Sequence, residues 1–128
     1  MSFILNIESS STNCSVSLTK NGDLISIKEN NDEKYSHSTK LHSFINEVIS
    51  DSKITINELS AIAVSKGPGS YTGLRIGVAA AKGLCFSLDI PLISVSTLLI
   101  LSKQIKISSG LILPVLDARR NEVYSAIY

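Results

Sequence analysis

Cysteine, histidine and charge are all scarce in this sequence, and each scarcity removes a class of function. The two cysteines, Cys14 and Cys85, both sit inside apolar patterns. They read as reduced, buried small hydrophobes of a cytoplasmic protein rather than as a disulfide framework. The two histidines, His37 and His42, are five residues apart, about 140° around a helix axis, whereas two metal ligands on one helix face need i, i+4 spacing. No histidine lies near either cysteine in sequence, so a thiol nucleophile lacks its usual base. Charged residues make up 18% of the chain and the net charge is +1, which leaves no basic footprint for autonomous nucleic-acid binding. The start, Met1-Ser2-Phe3-Ile4-Leu5, lacks a basic n-region, and its apolar run is too short for a signal peptide. The most apolar region, from Leu74 to Leu101, is broken by Arg75, Lys82 and Asp89, which argues against a membrane span.

What is present is apolar. Hydrophobic residues account for 44% of the 128 positions, enough for the core of one ordinary domain. The mean hydropathy of +0.24 leaves apolar surface over for a partner. Phe3 to Glu8 reads as a buried strand. Cys14, Val16 and Leu18 alternate with Ser15, Ser17 and Thr19, a half-buried strand. Asn21-Gly22 is a strong hairpin signal, and Leu24 to Lys28 is the return strand, so the chain opens with a three-strand antiparallel meander. Glu29 to Lys34 reads as a charged connector. A helix follows from about Ser36 to Ser50, with Leu41, Phe44, Ile45, Val48 and Ile49 on one apolar stripe. Thr55 with Glu58 three residues later is a capping-box pattern on a short helical turn.

From residue 61 the pattern alternates: a strand at Ala61 to Ser65, a helix at Tyr71 to Leu88, a strand at Pro91 to Val95, and a helix capped by Ser96 or Thr97 and running to about Ile105. That order implies parallel pairing through a crossover. Leu111 to Leu116 and Glu122 to Tyr128 read as two further strands around a turn at Asp117 to Asn121. A lone hairpin is marginal. We therefore expect an N-terminal domain over 1–108 and the start of a truncated second domain over 109–128.

The most informative stretch is Gly67-Pro68-Gly69-Ser70-Tyr71-Thr72-Gly73. A strand passing through such a loop into a helix aims backbone N–H groups at whatever lies in front, a ready anion site. Neither a P-loop nor a dinucleotide fingerprint matches, because no Gly-Lys-Ser/Thr follows and the glycines are spaced G-x-G-x-x-x-G. A tight strand-to-helix turn without a ligand is the plainer reading, and both stay open. Ser9, Ser10, Ser11 and Thr12, after the first strand, form a second candidate phosphate loop with Gly67 and Gly69. Glu8 beside that turn is placed to hold magnesium near a phosphate, or simply to be solvated.

Behind the loop, Gly73, Gly77, Ala80 and Ala81 form a stripe with almost no side chains. Each helical glycine costs roughly 1 kcal/mol against alanine, so a close backbone contact must compensate. The contact is either with the domain's own sheet or with a second subunit's helix. On the second reading, Gly77→Arg blocks pairing and leaves the fold largely intact.

Three segments together resemble a known family: Ile4-Leu5-Asn6-Ile7-Glu8-Ser9-Ser10-Ser11, the glycine segment extended through Leu74-Arg75-Ile76-Gly77, and Asp117-Ala118-Arg119-Arg120-Asn121-Glu122-Val123-Tyr124. They are similar to the TsaB (YeaZ-like) family, once labelled glycoprotease homologues, a partner subunit in bacterial tRNA threonylcarbamoyladenosine biosynthesis. The resemblance implies an α/β, ribonuclease-H-like domain of the actin-like ATPase superfold, with a mixed sheet, followed by the first hairpin of a second similar domain. It implies a non-catalytic dimerisation subunit that binds the catalytic paralogue TsaD or itself, meets the ATPase subunit TsaE through the complex, and touches tRNA only indirectly. Leu41, Phe44, Ile45, Gly73, Leu74, Gly77, Val78 and Ala81 would then lie at or under the interface.

The catalytic paralogues place a His-x-x-x-His metal pair just after the strand that follows the glycine helix. Here that region, Val95 to Leu101, contains no histidine, so no catalytic or metal-ligating residue is assigned and protease chemistry is disfavoured. No resident cofactor is implied. ATP with magnesium belongs to the alternative reading, a nucleotide-binding enzyme of the same superfold. One position departs from the family's pattern: the first strand ends in Glu8 where many relatives carry aspartate.

Overall fold

The chain opens with strands whose side chains alternate between a core and an open face. The computed structural model describes residues 2–31 and 37–128, without the side chains of residues 37–39 and 119. Strand β1 (Phe3–Glu8) buries Phe3, Leu5 and Ile7 on one side, and β2 (Asn13–Lys20) buries Cys14, Val16 and Leu18 on the same side. They pair antiparallel, with Leu5 opposite Leu18 and Ile7 opposite Val16. The two-residue turn at Asn21-Gly22, both at positive φ, returns the chain into β3 (Asp23–Asn31). This last strand is longer than expected. Glu29, Asn30 and Asn31, read as the start of a connector, pair instead with Ser15, Cys14 and Asn13. Side chains hold the extension: Asn13 Nδ2 donates to Glu29 Oε2 (3.3 Å) and Thr12 Oγ1 to Asn31 Oδ1 (2.7 Å). The rest of the expected connector, residues 32–34, and Ser36 as helix start lie outside the described residues, as does the His37 side chain.

Helix α1 (His37–Asp51) lays Leu41, Ile45 and Val48 on the core, with Phe44 and Ile49 half-buried beside them. After it, Thr55 N–H donates to Glu58 Oε2 (2.7 Å), closing the expected capping box on a short 3-10 turn, Ile56–Glu58. Strand β4 (Ala61–Gly67) joins β1 in parallel, with Ile7 opposite Val64. Helix α2 (Tyr71–Leu88) buries Gly73, Gly77, Ala81 and Cys85, one position per turn. Strand β5 (Leu92–Ser96) pairs parallel to β4, as the alternation predicted. The five strands are ordered β3-β2-β1-β4-β5, an antiparallel meander continued by a parallel βαβ unit. Both long helices cover the Leu5 and Ile7 face.

Helix α3 (Thr97–Ser102) packs on β4 and β5 and is shorter than the expected run to Ile105. Its last turn is closed by Ser102 Oγ, which donates to the Leu99 carbonyl (2.7 Å), and Ile105 and Ile107 beyond it are exposed. Without apolar burial a further turn gains too little to form. The final hairpin is also corrected. Strands β6 (Val115–Arg119) and β7 (Glu122–Ser125) meet at a two-residue turn, Arg120-Asn121, both at positive φ, so Asp117 to Arg119 are strand and not turn. Pro114, which has no N–H, stands just before β6, so the strand expected from Leu111 starts at Val115, yet Ile112 and Tyr128 still exchange both backbone hydrogen bonds (2.9 and 3.0 Å). Among the described residues no helix is long and apolar enough to cross a membrane.

Candidate functional site

The two serine- and glycine-rich loops expected on either side of a ligand are packed directly on one another. Ser70 N–H donates to the Ser10 carbonyl (2.7 Å), and a Cβ added to Gly69 would stand 2.5 Å from that same oxygen. Gly69 is thus glycine because two backbones meet there. The Gly67-Pro68 peptide is cis, and Gly67 sits in the left-handed region at φ 115°. Ser70 then caps α2: its hydroxyl accepts from Gly73 N–H (3.3 Å) and its carbonyl from Leu74 N–H (2.8 Å). The first turn of an 18-residue helix therefore faces the space in front of the loops.

That space is a cleft of about 510 Å³, floored by Ser10, Ser11, Thr12 and Gly69 to Thr72 and walled by Leu116, Asp117, Ala118 and Tyr124 of the final hairpin. Among the described residues, no lysine, arginine or histidine lines it. Of the residues expected in the two phosphate loops, Ser10, Ser11, Thr12 and Gly69 line it. Ser9 and Gly67 do not: Ser9 is buried under α2, where its hydroxyl donates to the Gly73 carbonyl (2.7 Å). Glu8 turns back on its own loop, accepting from Ser10 N–H (3.0 Å) and from the Ser10 hydroxyl through Oε1. The hairpin residues were legible only as a family motif; nothing in their local sequence points to a cleft wall.

The small-residue stripe of α2 faces inward. A Cβ on Gly77 would lie 2.2 Å from Ser9 Oγ and 3.4 Å from Ile7 Cγ2, so this glycine serves contact with the domain's own first strand. Gly73, Gly77 and Ala81 are buried in that contact, and Leu41 and Ile45 are buried under α1. Of the residues expected at an interface, Phe44, Leu74 and Val78 are half-buried and reach the surface in part. Gly77→Arg consequently breaks the fold and cannot isolate a pairing surface, contrary to expectation.

The outer side of α2 presents a different strip. Tyr71, Leu74, Arg75, Val78, Ala79 and Lys82 border a shallow depression of about 390 Å³. Arg75 stacks over the Tyr71 ring at 5.4 Å, and one turn past Lys82 Phe86 is 91% exposed. Tyr71, Arg75, Ala79 and Lys82 escaped sequence reasoning because arginine and lysine mark a helix face as solvated.

Neither thiol is a reactive group. Burial pushes the Cys14 thiol up, the charge of Glu8 adds to that, and Lys40 opposes it. Burial raises Cys85 too, against a backbone hydrogen bond near Ile62. Both stay protonated at neutral pH.

The family model described as "TsaD: tRNA N6-adenosine threonylcarbamoyltransferase" matches residues 31–128. The TsaB tRNA threonylcarbamoyladenosine biosynthesis protein of Bacillus subtilis is 45% identical over 95 residues, covering 74% of this chain and 42% of that protein. The solved structure of YeaZ from Pseudomonas aeruginosa superposes with a TM-score of 0.91 at 29% identity, over 100% of this chain and 60% of that one. RuvC of Thermus thermophilus, in complex with a Holliday junction substrate, aligns at TM-score 0.52 and 12% identity over 81% of this chain and 69% of that one. At that identity the likeness shows the shared fold alone. The chain thus spans about half the length of the curated relatives it matches.

Proposed function

We propose, for a chain that belongs to the TsaD and TsaB family of tRNA threonylcarbamoyladenosine biosynthesis proteins and sits on its TsaB/YeaZ side, that it acts in that tRNA modification as a docking subunit and not as a catalyst. Its fold is the mixed α/β, ribonuclease-H-like one. The observation that carries the reading is the outer strip of α2. It combines aromatic, aliphatic and arginine side chains on a rigid helix, the composition that supplies binding energy at protein interfaces. The strip adjoins half-buried Leu74 and Val78, so docking there would bury surface the core leaves uncovered. The natural occupant is the catalytic TsaD-type paralogue, with a second copy of this subunit as the competing one. A TsaE-type ATPase would join through the complex, and tRNA contact would be indirect.

The test is to mix the protein with the TsaD-type paralogue of the same organism and read mass by light scattering on a sizing column. A one-to-one complex is expected, and Ala79→Arg, an exposed helical position, should abolish it without unfolding the chain. Normal pairing by Ala79→Arg and by a second variant, Arg75→Glu, would place the interface elsewhere.

The cleft at the start of α2 supports a second reading, a nucleotide site using the Ser10–Thr12 and Gly69–Thr72 loops. ATP titration with magnesium tests it. Binding that disappears in Thr72→Glu, which sets a carboxylate at the exposed helix start, would favour this reading.

A further inference from the structure

The final hairpin has two unlike sides. Ile112 and Tyr128 exchange both backbone hydrogen bonds and Val115 stands opposite Ser125, so Leu113 stands opposite Ile127. One side therefore carries Leu113, Val115, Val123, Ser125 and Ile127. The other carries Ile112, Pro114, Leu116, Ala118 and Ala126, all buried or half-buried. That second side rests toward the domain: Leu116 and Ala118 wall the cleft, and Ile112 borders a depression with Leu99 and Ser102 of α3.

The first side is bare. Leu113 is 59% exposed, Val115 52%, Val123 58% and Ile127 67%, and Leu111 at its end is 76% exposed. Leu111 to Leu116 are apolar at every position, the pattern of a strand covered on both sides and not of one that faces water. A two-stranded hairpin open on one side is marginal. These five aliphatic residues leave roughly 600 Å² uncovered, the top of the range for the largest apolar patch on a monomer.

We infer that this outer side is an interface between two copies of this chain, packed face to face about a two-fold axis near the Leu113 and Ile127 pair. Two such faces together bury roughly 1,200 Å², the lower end of the range for a specific interface, so the pair is reversible. Charge suits a second copy. The five side chains carry none, so nothing on the face selects a charged partner. Asp117, on the same side, lies about 13 Å along the strand from Leu113. Antiparallel packing sends the two Asp117 carboxylates to opposite ends of the interface, where neither meets its like. This surface shares no residue with the outer strip of α2, and the inference does not rest on docking there.

The test is sedimentation velocity of the 128-residue chain from about 1 to 300 µM. A monomer–dimer equilibrium with a midpoint of roughly 10–100 µM is expected. Leu113→Lys and Ile127→Lys should each raise that midpoint at least about tenfold. Their melting temperatures, read at a concentration where the wild type is monomeric, should match it, which separates lost pairing from lost folding. Under mild oxidation Ser125→Cys should cross-link two copies, and Ala79→Cys on the outer side of α2 should not, the native thiols Cys14 and Cys85 being buried. A monomer mass throughout the range, or a midpoint unmoved in both lysine variants, overturns the inference. So does cross-linking through Ala79→Cys in place of Ser125→Cys, which would put the pairing on α2.

Discussion

Gly77→Ala tests the packing of α2 on β1 with a single methyl group. In an isolated helix the substitution is favourable by about 1 kcal/mol. Here the new Cβ would stand 2.2 Å from Ser9 Oγ and 3.3 Å from Ser9 Cβ, well inside contact distance. Ser9 can yield only by rotating its hydroxyl away from the Gly73 carbonyl, its 2.7 Å acceptor, in a site only 1% exposed. Overpacking costs roughly 1–3 kcal/mol, and a buried hydroxyl left without a partner costs about 1–3 kcal/mol more. After the helix gain, the variant should be less stable by about 1–5 kcal/mol. For a domain this size that lowers the melting temperature by about 3–6 °C per kcal/mol. Urea unfolding of the wild type, Gly77→Ala, Ser9→Ala and the double variant closes the cycle. With the Ser9 hydroxyl gone, most of the penalty should vanish and the propensity gain emerge. If Gly77→Ala stabilises the wild-type chain, or the two substitutions are additive, the close contact does not hold and the explanation of the glycine stripe is wrong.

Gly69→Ala should cost more than Gly77→Ala, because the atom it meets is the Ser10 backbone carbonyl, which cannot rotate away; urea midpoints of the two variants decide this. Ala79→Arg should change stability by less than about 0.5 kcal/mol while removing the one-to-one complex with the catalytic paralogue, a dissociation read by light scattering. The thiols give a pH signature. Both folded-state values lie above the ordinary 9.0, so the folded chain holds these protons more tightly than the unfolded one. Their stabilising contribution is full below the ordinary value and is lost as pH rises through the raised ones. Unfolding free energy measured from pH 8 to 11 should therefore fall more steeply in the wild type than in a Cys14→Ala, Cys85→Ala variant. In the folded chain a thiol reagent should modify neither cysteine at neutral pH, and in denaturant it should modify both.

The elements that a local pattern specifies were legible. Alternation in Cys14 to Thr19, the Asn21-Gly22 turn, the Leu41 to Ile49 stripe and the span of α2 each follow from side-chain period and turn chemistry within a few residues. Errors fell where a partner strand or an absence of burial decided the outcome. Glu29 to Asn31 look like a linker until β2 supplies hydrogen bonds for them, and the helix after Ser96 stops early because Ile105 and Ile107 find no core. The candidate cleft was half legible. Its glycines and serines carry a loop signature, whereas Asp117, Ala118 and Tyr124 enter only because the final hairpin stands across the cleft from the start of α2.

The sequence alone determined the order and period of the elements, the small-residue character of one α2 face, and the family motifs, since all of these are read from neighbours along the chain. Tertiary structure decided which surfaces remained for function. It spent the glycine stripe on the domain's own first strand, left the Tyr71 to Lys82 side outward, and stood the final hairpin across the cleft from the start of α2. Those are contacts between residues far apart in sequence, and no local period encodes them.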